Sequence, residues 1–132
     1  MISKKCKYAI KAVLNIANKY EKGLFSSSNE ISQEENIPKK FLEGILLELR
    51  NAKILKSSRG KKGGYILLKP LNEITFTEII RIIDGPIALF PCVSLNYYSK
   101  CEDCDSDDCR LKEIFAKVRD ASLNILNETL NK

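Results

Sequence analysis

Apolar side chains return at steps of three and four residues through the first turns of the chain. Tyr8, Ala9, Ala12, Val13, Ile16, Ala17 and Tyr20 fall on one side of a helix predicted from residue 4 to about 20, and Gly23 closes it. Ser27 followed three residues later by Glu30 is a capping-box pair, opening a short helix that runs through Glu35. Pro38 then biases Ile37 away from helical geometry, so that a second helix is predicted from residue 39 to about 52. In this helix Phe41, Leu42, Ile45, Leu46 and Leu49 form the side predicted to be buried. Lys39, Lys40, Glu43 and Leu47 are left on the outside. Two helices this close have the spacing of a helix-turn-helix.

The period then shortens. In ILKSSRGKKGGYILLKP, residues 54–57 and 65–68 are β-prone runs around a basic turn, with Gly60, Gly63 and Gly64 expected to supply positive φ angles. A helix-turn-helix followed by such a hairpin is a winged helix. Thr75 and Glu78 make a second capping-box pair, starting a helix through Ile83 that Asp84, Gly85 and Pro86 end. From residue 110 to 131 helical spacing resumes through Leu111, Ile114, Phe115, Val118, Ala121, Ile125 and Leu126, a predicted length of about 33 Å at 1.5 Å per residue. A helix that long with one apolar stripe needs a surface to pack on. The expected fold is mainly α with a small β-hairpin: a winged helix-turn-helix over 1–86, a cysteine-rich loop over 87–109 and a terminal helix over 110–132.

Composition agrees with one domain able to bury a core: 132 residues, 44% of them apolar. The lysine-rich start lacks a signal-type apolar run or a span of about 20 apolar residues, and the chain is read as cytoplasmic, with no membrane partner. The net charge of +5 conceals an asymmetry. Residues 1–70 carry 15 Lys and Arg against 6 Asp and Glu, a balance of +9, whereas residues 71–132 carry 7 against 11, a balance of −4. Only the first half suits a polyanion.

That half also holds the candidate nucleic-acid contacts. Lys39, Lys40 and Glu43 stand in the first turns of the second helix, where a recognition helix reaches base edges in the major groove. A merely solvated charged face explains that helix equally well by itself. The wing favours DNA, because Lys56, Arg59, Lys61 and Lys62 crowd one turn and a narrow minor groove attracts inserted arginine.

Four of the five cysteines, Cys92, Cys101, Cys104 and Cys109, share the stretch PCVSLNYYSKCEDCDSDDC. In a chain read as cytoplasmic, this density points to soft-metal ligation rather than a disulfide framework, since thiolates select zinc and iron-sulfur iron. Cys101-x-x-Cys104 is a zinc half-site, and four thiolates would complete a tetrahedral shell. Unligated cysteines are the third reading. Glu102, Asp103, Asp105, Asp107 and Asp108 disfavour free thiolates by like-charge repulsion, an effect that a bound cation reverses. A thiol-disulfide oxidoreductase is the reading from outside this class, but the pair lacks the βαβ setting of such enzymes. There is no histidine base, phosphate-cradling loop or nucleophile elbow either, so the chain is not expected to be an enzyme.

In order, KYAIKAVLNIA, NIPKKFLEGILLELRNAKIL, SSRGKKGGYILLKP, TEIIRIIDGPI and the CRLKEIF start of the last helix resemble the Rrf-two family of bacterial regulators, which includes IscR, NsrR and CymR types. The resemblance covers nearly the whole chain and implies a homodimer that binds a double-stranded DNA operator, with the last helix crossing its counterpart in the partner. It also implies that Arg59 matches a minor-groove reader and Glu43 a base contact. In the cluster-bearing branch three loop cysteines hold a two-iron or four-iron iron-sulfur cluster. Cys92 matches the first and Cys109 the last, with either Cys101 or Cys104 between them. One branch draws its fourth ligand from a histidine three residues beyond the last cysteine, where this chain has Lys112. Another uses an acidic residue of the partner's first helix, where this chain has Lys7 beside Cys6, which makes Cys6 a cross-subunit candidate.

Overall fold

The computed structural model describes residues 2–59, 63–101 and 109–131. Ser3 starts the first helix, its hydroxyl accepting from the Cys6 amide at 3.0 Å, and α1 runs Lys4–Glu21. Cys6, Ala9, Ala12, Val13 and Ile16 are fully buried along one side of it. Their small volumes let α2 (Ser28–Glu35), α3 (Lys39–Asn51), α4 (Phe76–Ile83) and strand β2 (Gly64–Leu67) all pack against the same helix. Tyr20, expected on the buried stripe, is half exposed.

The turn between α2 and α3 is closed locally. Ser27 Oγ accepts from the Glu30 amide at 3.2 Å, completing the N-cap. At the other end Asn36 sits in the left-handed region at φ 54°, which asparagine tolerates better than most residues. There the Ser32 carbonyl accepts from the Ile37 amide at 3.0 Å, while Ser32 Oγ donates to the Ile37 carbonyl at 2.6 Å. Ion pairs lock the pair of helices to α1: Lys19 Nζ lies 3.0 Å from Glu30 and 2.8 Å from Glu34, and Lys5 Nζ lies 2.7 Å from Glu48. Burial works against charge on Lys19, but hydrogen bonds to Glu34 and Glu30 outweigh it and raise its pKa. The hydrogen bonds from Lys19 and Asn15 hold Glu34 below the ordinary carboxylate range.

The wing is an antiparallel hairpin of β1 (Leu55–Ser58) and β2, with Leu55 opposite Leu67 and Ser58 opposite Gly64. Each strand lies one residue from its expected span. A contact from far away in sequence flanks the hairpin: the Ser26 amide donates to the Tyr65 carbonyl at 3.3 Å and the Tyr65 amide to the Ser26 carbonyl at 2.7 Å, adding a one-residue bridge at the hairpin edge. Gly64 is therefore needed for proximity and not for a positive φ. A Cβ there would stand 2.5 Å from the Ser26 carbonyl oxygen. Gly60 lies outside the described residues.

Two further expectations change. Phe41 is 44% exposed instead of buried and packs edge-on against the Tyr8 ring, centroids 5.8 Å apart. The last helix, α5, spans Arg110–Leu126, about 26 Å, and does not continue to residue 131. Beyond it the chain doubles back: the Phe76 amide donates to the Glu128 carbonyl at 3.2 Å and the Leu130 amide to the Ile74 carbonyl at 2.8 Å. Leu130 enters the core at 6% exposure, and its burial with two backbone bonds outweighs another helical turn through the poor helix formers Asn127 and Thr129.

Replacing Gly64 with alanine should cost about 1–3 kcal/mol, because the new methyl must displace backbone and not a pliable side chain. Urea unfolding against the parent measures this, and an unchanged midpoint would show that the Ser26 contact does not constrain the wing.

Candidate nucleic-acid interface and cysteine loop

On α3, Lys39, Lys40, Glu43, Gly44 and Leu47 are exposed, whereas Leu42, Ile45, Leu46 and Leu49 are buried. This separation follows from helical periodicity and turns one polar face of α3 outward. Lys56 projects from β1, and Arg59 follows its end; both are exposed. Lys61 and Lys62 lie outside the described residues. Among the described residues, Lys39, Lys40, Glu43, Lys56 and Arg59 take part in no ion pair, whereas Lys5, Lys19, Lys69 and Lys117 each face a glutamate. The lysines that hold the fold are neutralised internally, and those on this surface remain available to an external anion. Lys4 joins the same neighbourhood. Its Nζ lies 5.7 Å from the centre of the Tyr8 ring, which in turn meets Phe41 at the start of α3. The only sequence signal for this contact is the four-residue spacing of Lys4 and Tyr8.

The cysteines occupy different settings. Cys92 is half-buried in a 3-10 turn, Pro91–Val93, fastened to α5 by the Phe90–Phe115 edge contact at 4.7 Å and by Arg119 Nη1 donating to the Val93 carbonyl at 2.7 Å. Cys101 is exposed. Cys109 is the N-cap residue of α5, half-buried, and its side chain makes no capping bond. Cys104 and the acids Glu102, Asp103, Asp105, Asp107 and Asp108 lie outside the described residues. The donor chemistry suits a thiolate-bound metal. Among the described residues, however, no three Cys, Asp or Glu side chains converge as a shell.

Cys6 belongs to another environment. It is fully buried in the core, and burial, aided by the negative charge of Asp84, pushes its thiol pKa up to about 11. In this structure the cross-subunit candidate is a packing residue, and a partner's metal would reach it only if α1 left the core.

Along α5, Leu111, Ile114, Val118 and Ile125 are exposed, while Leu123 is buried and Leu126 packs on the core. Leu123 was absent from the expected stripe. Leu89, Phe90, Leu95, Tyr97 and Tyr98, also exposed, extend the apolar character into the preceding segment. Contiguous apolar surface of this kind marks an interaction site more often than isolated exposed leucines do.

A helix-turn-helix with an adjacent hairpin and an unpaired basic surface defines a winged-helix DNA-binding protein. Residues 2–130 match the model of Rrf2, described as an iron-dependent transcriptional regulator, and the chain belongs to the Rrf2 family of DNA-binding transcriptional regulators. An HTH-type regulator described as rrf2-like from Rhodobacter capsulatus is 44% identical over 121 residues, covering 89% of this chain and 81% of the relative. The structure of CymR (YrzC), the global cysteine regulator of B. subtilis, superposes with a TM-score of 0.79 at 31% identity, covering 98% of this chain and 92% of that one. IscR of T. potens gives 0.78 at 25% identity, covering 98% and 82%. These relatives are regulators and not enzymes. Among the described residues no helix is long and apolar enough to cross a membrane.

Native protein treated with iodoacetamide near pH 8 should label Cys101 ahead of Cys92 and Cys109 and spare Cys6 until denaturant is added, as peptide mass spectrometry would read. Folding raises the Cys6 pKa, so the stability it confers is whole below the unfolded value of 9.0 and is lost as pH climbs through about 11. Cys6→Ala should therefore flatten the alkaline fall in stability between those values, whatever it costs at neutral pH.

Proposed function

We propose that the chain works in the cytoplasm as a homodimer that grips a double-stranded DNA operator and changes its grip in response to the state of the cysteine loop. The observation that carries the DNA reading is the unpaired, exposed surface of α3 and the wing in a half of the chain with a balance of +9. Lys39 and Lys40 approach the duplex from the first turn of α3, with Glu43 accepting from a cytosine amino group. Glutamate repels phosphate, so it adds selectivity at the expense of affinity. Arg59 enters the neighbouring minor groove, with Lys56, Lys61 and Lys62 on the flanking phosphates. The exposed stripe of α5 pairs with its counterpart in a second copy, placing two recognition helices about 34 Å apart, one turn of DNA.

The finer reading is a sensor of redox, nitric oxide or iron-sulfur status. Cys92, Cys109 and one or both of Cys101 and Cys104 hold a two-iron or four-iron cluster, which when bound supplies the redox-reactive centre. Support comes from the thiol-rich donor set and from the position of Cys109 as the N-cap residue of α5, its side chain engaged in no capping bond. The separate settings of Cys92, Cys101 and Cys109 favour a second reading, in which the loop takes no metal, and the Cys101-x-x-Cys104 half-site supports zinc as the other alternative. Fastening of the Cys92 turn to α5 by Arg119 and Phe115 gives the loop a contact with the dimer helix under any of these. A typical coupling of about 1–3 kcal/mol would alter operator affinity roughly five- to 150-fold.

Arg59→Ala should weaken specific operator binding by about 1–3 kcal/mol and leave the far-ultraviolet spectrum unchanged. Unaltered affinity at fixed salt would remove Arg59 from the interface, and a monomer in sedimentation at micromolar concentration would remove the dimer. For the loop, Cys→Ser variants purified anaerobically should lose visible absorption at Cys92 and Cys109, with Cys101 and Cys104 partly replacing one another. Full colour in the Cys92 and Cys109 variants would overturn that ligand set.

A further inference from the structure

Gly44 sits in the interior of α3, exposed, and beyond its chain neighbours and its own helix backbone nothing lies within 4 Å of the place a Cβ would occupy. Its φ lies outside the left-handed region, so neither backbone conformation nor internal packing requires glycine there. Glycine in a helix interior is nonetheless less stable than alanine. The fold thus bears a cost at a position where the fold gains nothing, on the face that carries Lys40 and Glu43. Leu47, one turn further along the same face, is 46% exposed and is the stripe's apolar member. An isolated exposed leucine is ordinary. A leucine next to a bare backbone patch, on a helix whose Lys39 and Lys40 take part in no ion pair among the described residues, is a surface shaped for an anionic ligand with an apolar group.

We infer that Gly44 and Leu47 form a notch on the recognition helix that receives the C5 methyl group of a thymine in the major groove, beside the base pair met by Glu43. The inference rests on the proposed entry of α3 into that groove. Thymine is the base that offers a methyl in the major groove, and apolar side chains are its natural contacts. Gly44 lets the helix backbone approach the base edge closely, Leu47 covers the methyl, and Glu43 and Lys40 address polar neighbours. The notch therefore adds to the sequence preference given by Glu43 and Arg59, while the phosphate-facing lysines supply affinity that does not depend on sequence.

The test uses the full-length protein to select tight binders from a random-sequence duplex pool, then replaces each thymine of the selected consensus with deoxyuridine, which removes the methyl alone. One position in each half-site should lose about fourfold in affinity, the equivalent of one buried methyl group. Leu47→Ala should bind the thymine and uracil duplexes equally. Gly44→Ala should raise the thermal midpoint by a few degrees and yet bind the consensus several-fold more weakly. A consensus with no methyl-sensitive position, a uracil penalty that persists in Leu47→Ala, or a Gly44→Ala protein that binds as tightly as the parent would each overturn the notch alone. A parent protein that enriches no sequence would overturn the groove reading and the notch together.

Discussion

The buried face of α1 is the constraint on which the rest depends. Ala9, Ala12 and Ala17 keep this helix thin where α2, α3, α4 and β2 converge on it, and Cys6, Val13 and Ile16 fill the remaining volume. Because one surface serves four neighbours, a methylene added at Ala9 or Ala12 would not be absorbed by a single loop. It would shift the recognition helix relative to the wing, since overpacked cores relax through the backbone. The polar contacts at the rim follow the same logic. Lys19 joins α1 to Glu30 and Glu34 of α2, and Lys5 joins it to Glu48 of α3, so the charges nearest the core are used in orienting helices. Half-exposed pairs of this kind contribute little stability each, but they fix angle and register.

Where a structural rule is local, the sequence was easily read. Ser27 and Thr75 cap α2 and α4 as their spacing to Glu30 and Glu78 predicts, and Asp84 and Gly85 stop α4. The outward positions of Lys39, Lys40, Glu43 and Leu47 follow from a period of 3.6 residues. Errors arose wherever a distant partner decides. The role of Gly64 depends on Ser26 meeting it and Tyr65, thirty-eight or more positions away. Phe41 looks like a core residue by periodicity, yet Tyr8 supplies a place for it at the surface. Leu130, four residues beyond Leu126, continues a helical stripe by spacing, and nothing near it in sequence announces that Ile74 will accept its amide. For the cysteines the types and spacing indicate thiolate chemistry, whereas the assembly of a shell is a property of loop geometry that spacing does not encode. Ion pairing behaves likewise: that Lys19 is engaged and Lys40 is free is visible only once the helices are packed.

Helix α5 is held in two places by contacts of different character. At its C-terminal end two backbone hydrogen bonds and the buried Leu130 tie the chain to Ile74 and Phe76. Breaking them would leave polar groups unsatisfied beside a fully buried isoleucine, a cost added to the loss of apolar burial. Nearer the middle of the helix the ties are the Phe90–Phe115 edge contact, of order 0.5–1.5 kcal/mol beyond its buried area, and the Arg119 bond to the Val93 carbonyl. The aromatic contact lies at the margin, with Phe90 exposed, whereas the Arg119 bond reaches in to the buried Val93. The turn that carries Cys92 therefore meets α5 between Phe115 and Arg119, apart from the end anchored beside α4. The exposed Leu111, Ile114 and Val118 all precede Arg119 on the same helix. The same segment thus carries both exposed apolar side chains and the contacts to the cysteine turn, so the two are linked through one helix, whereas α3 is positioned by the separate core around α1.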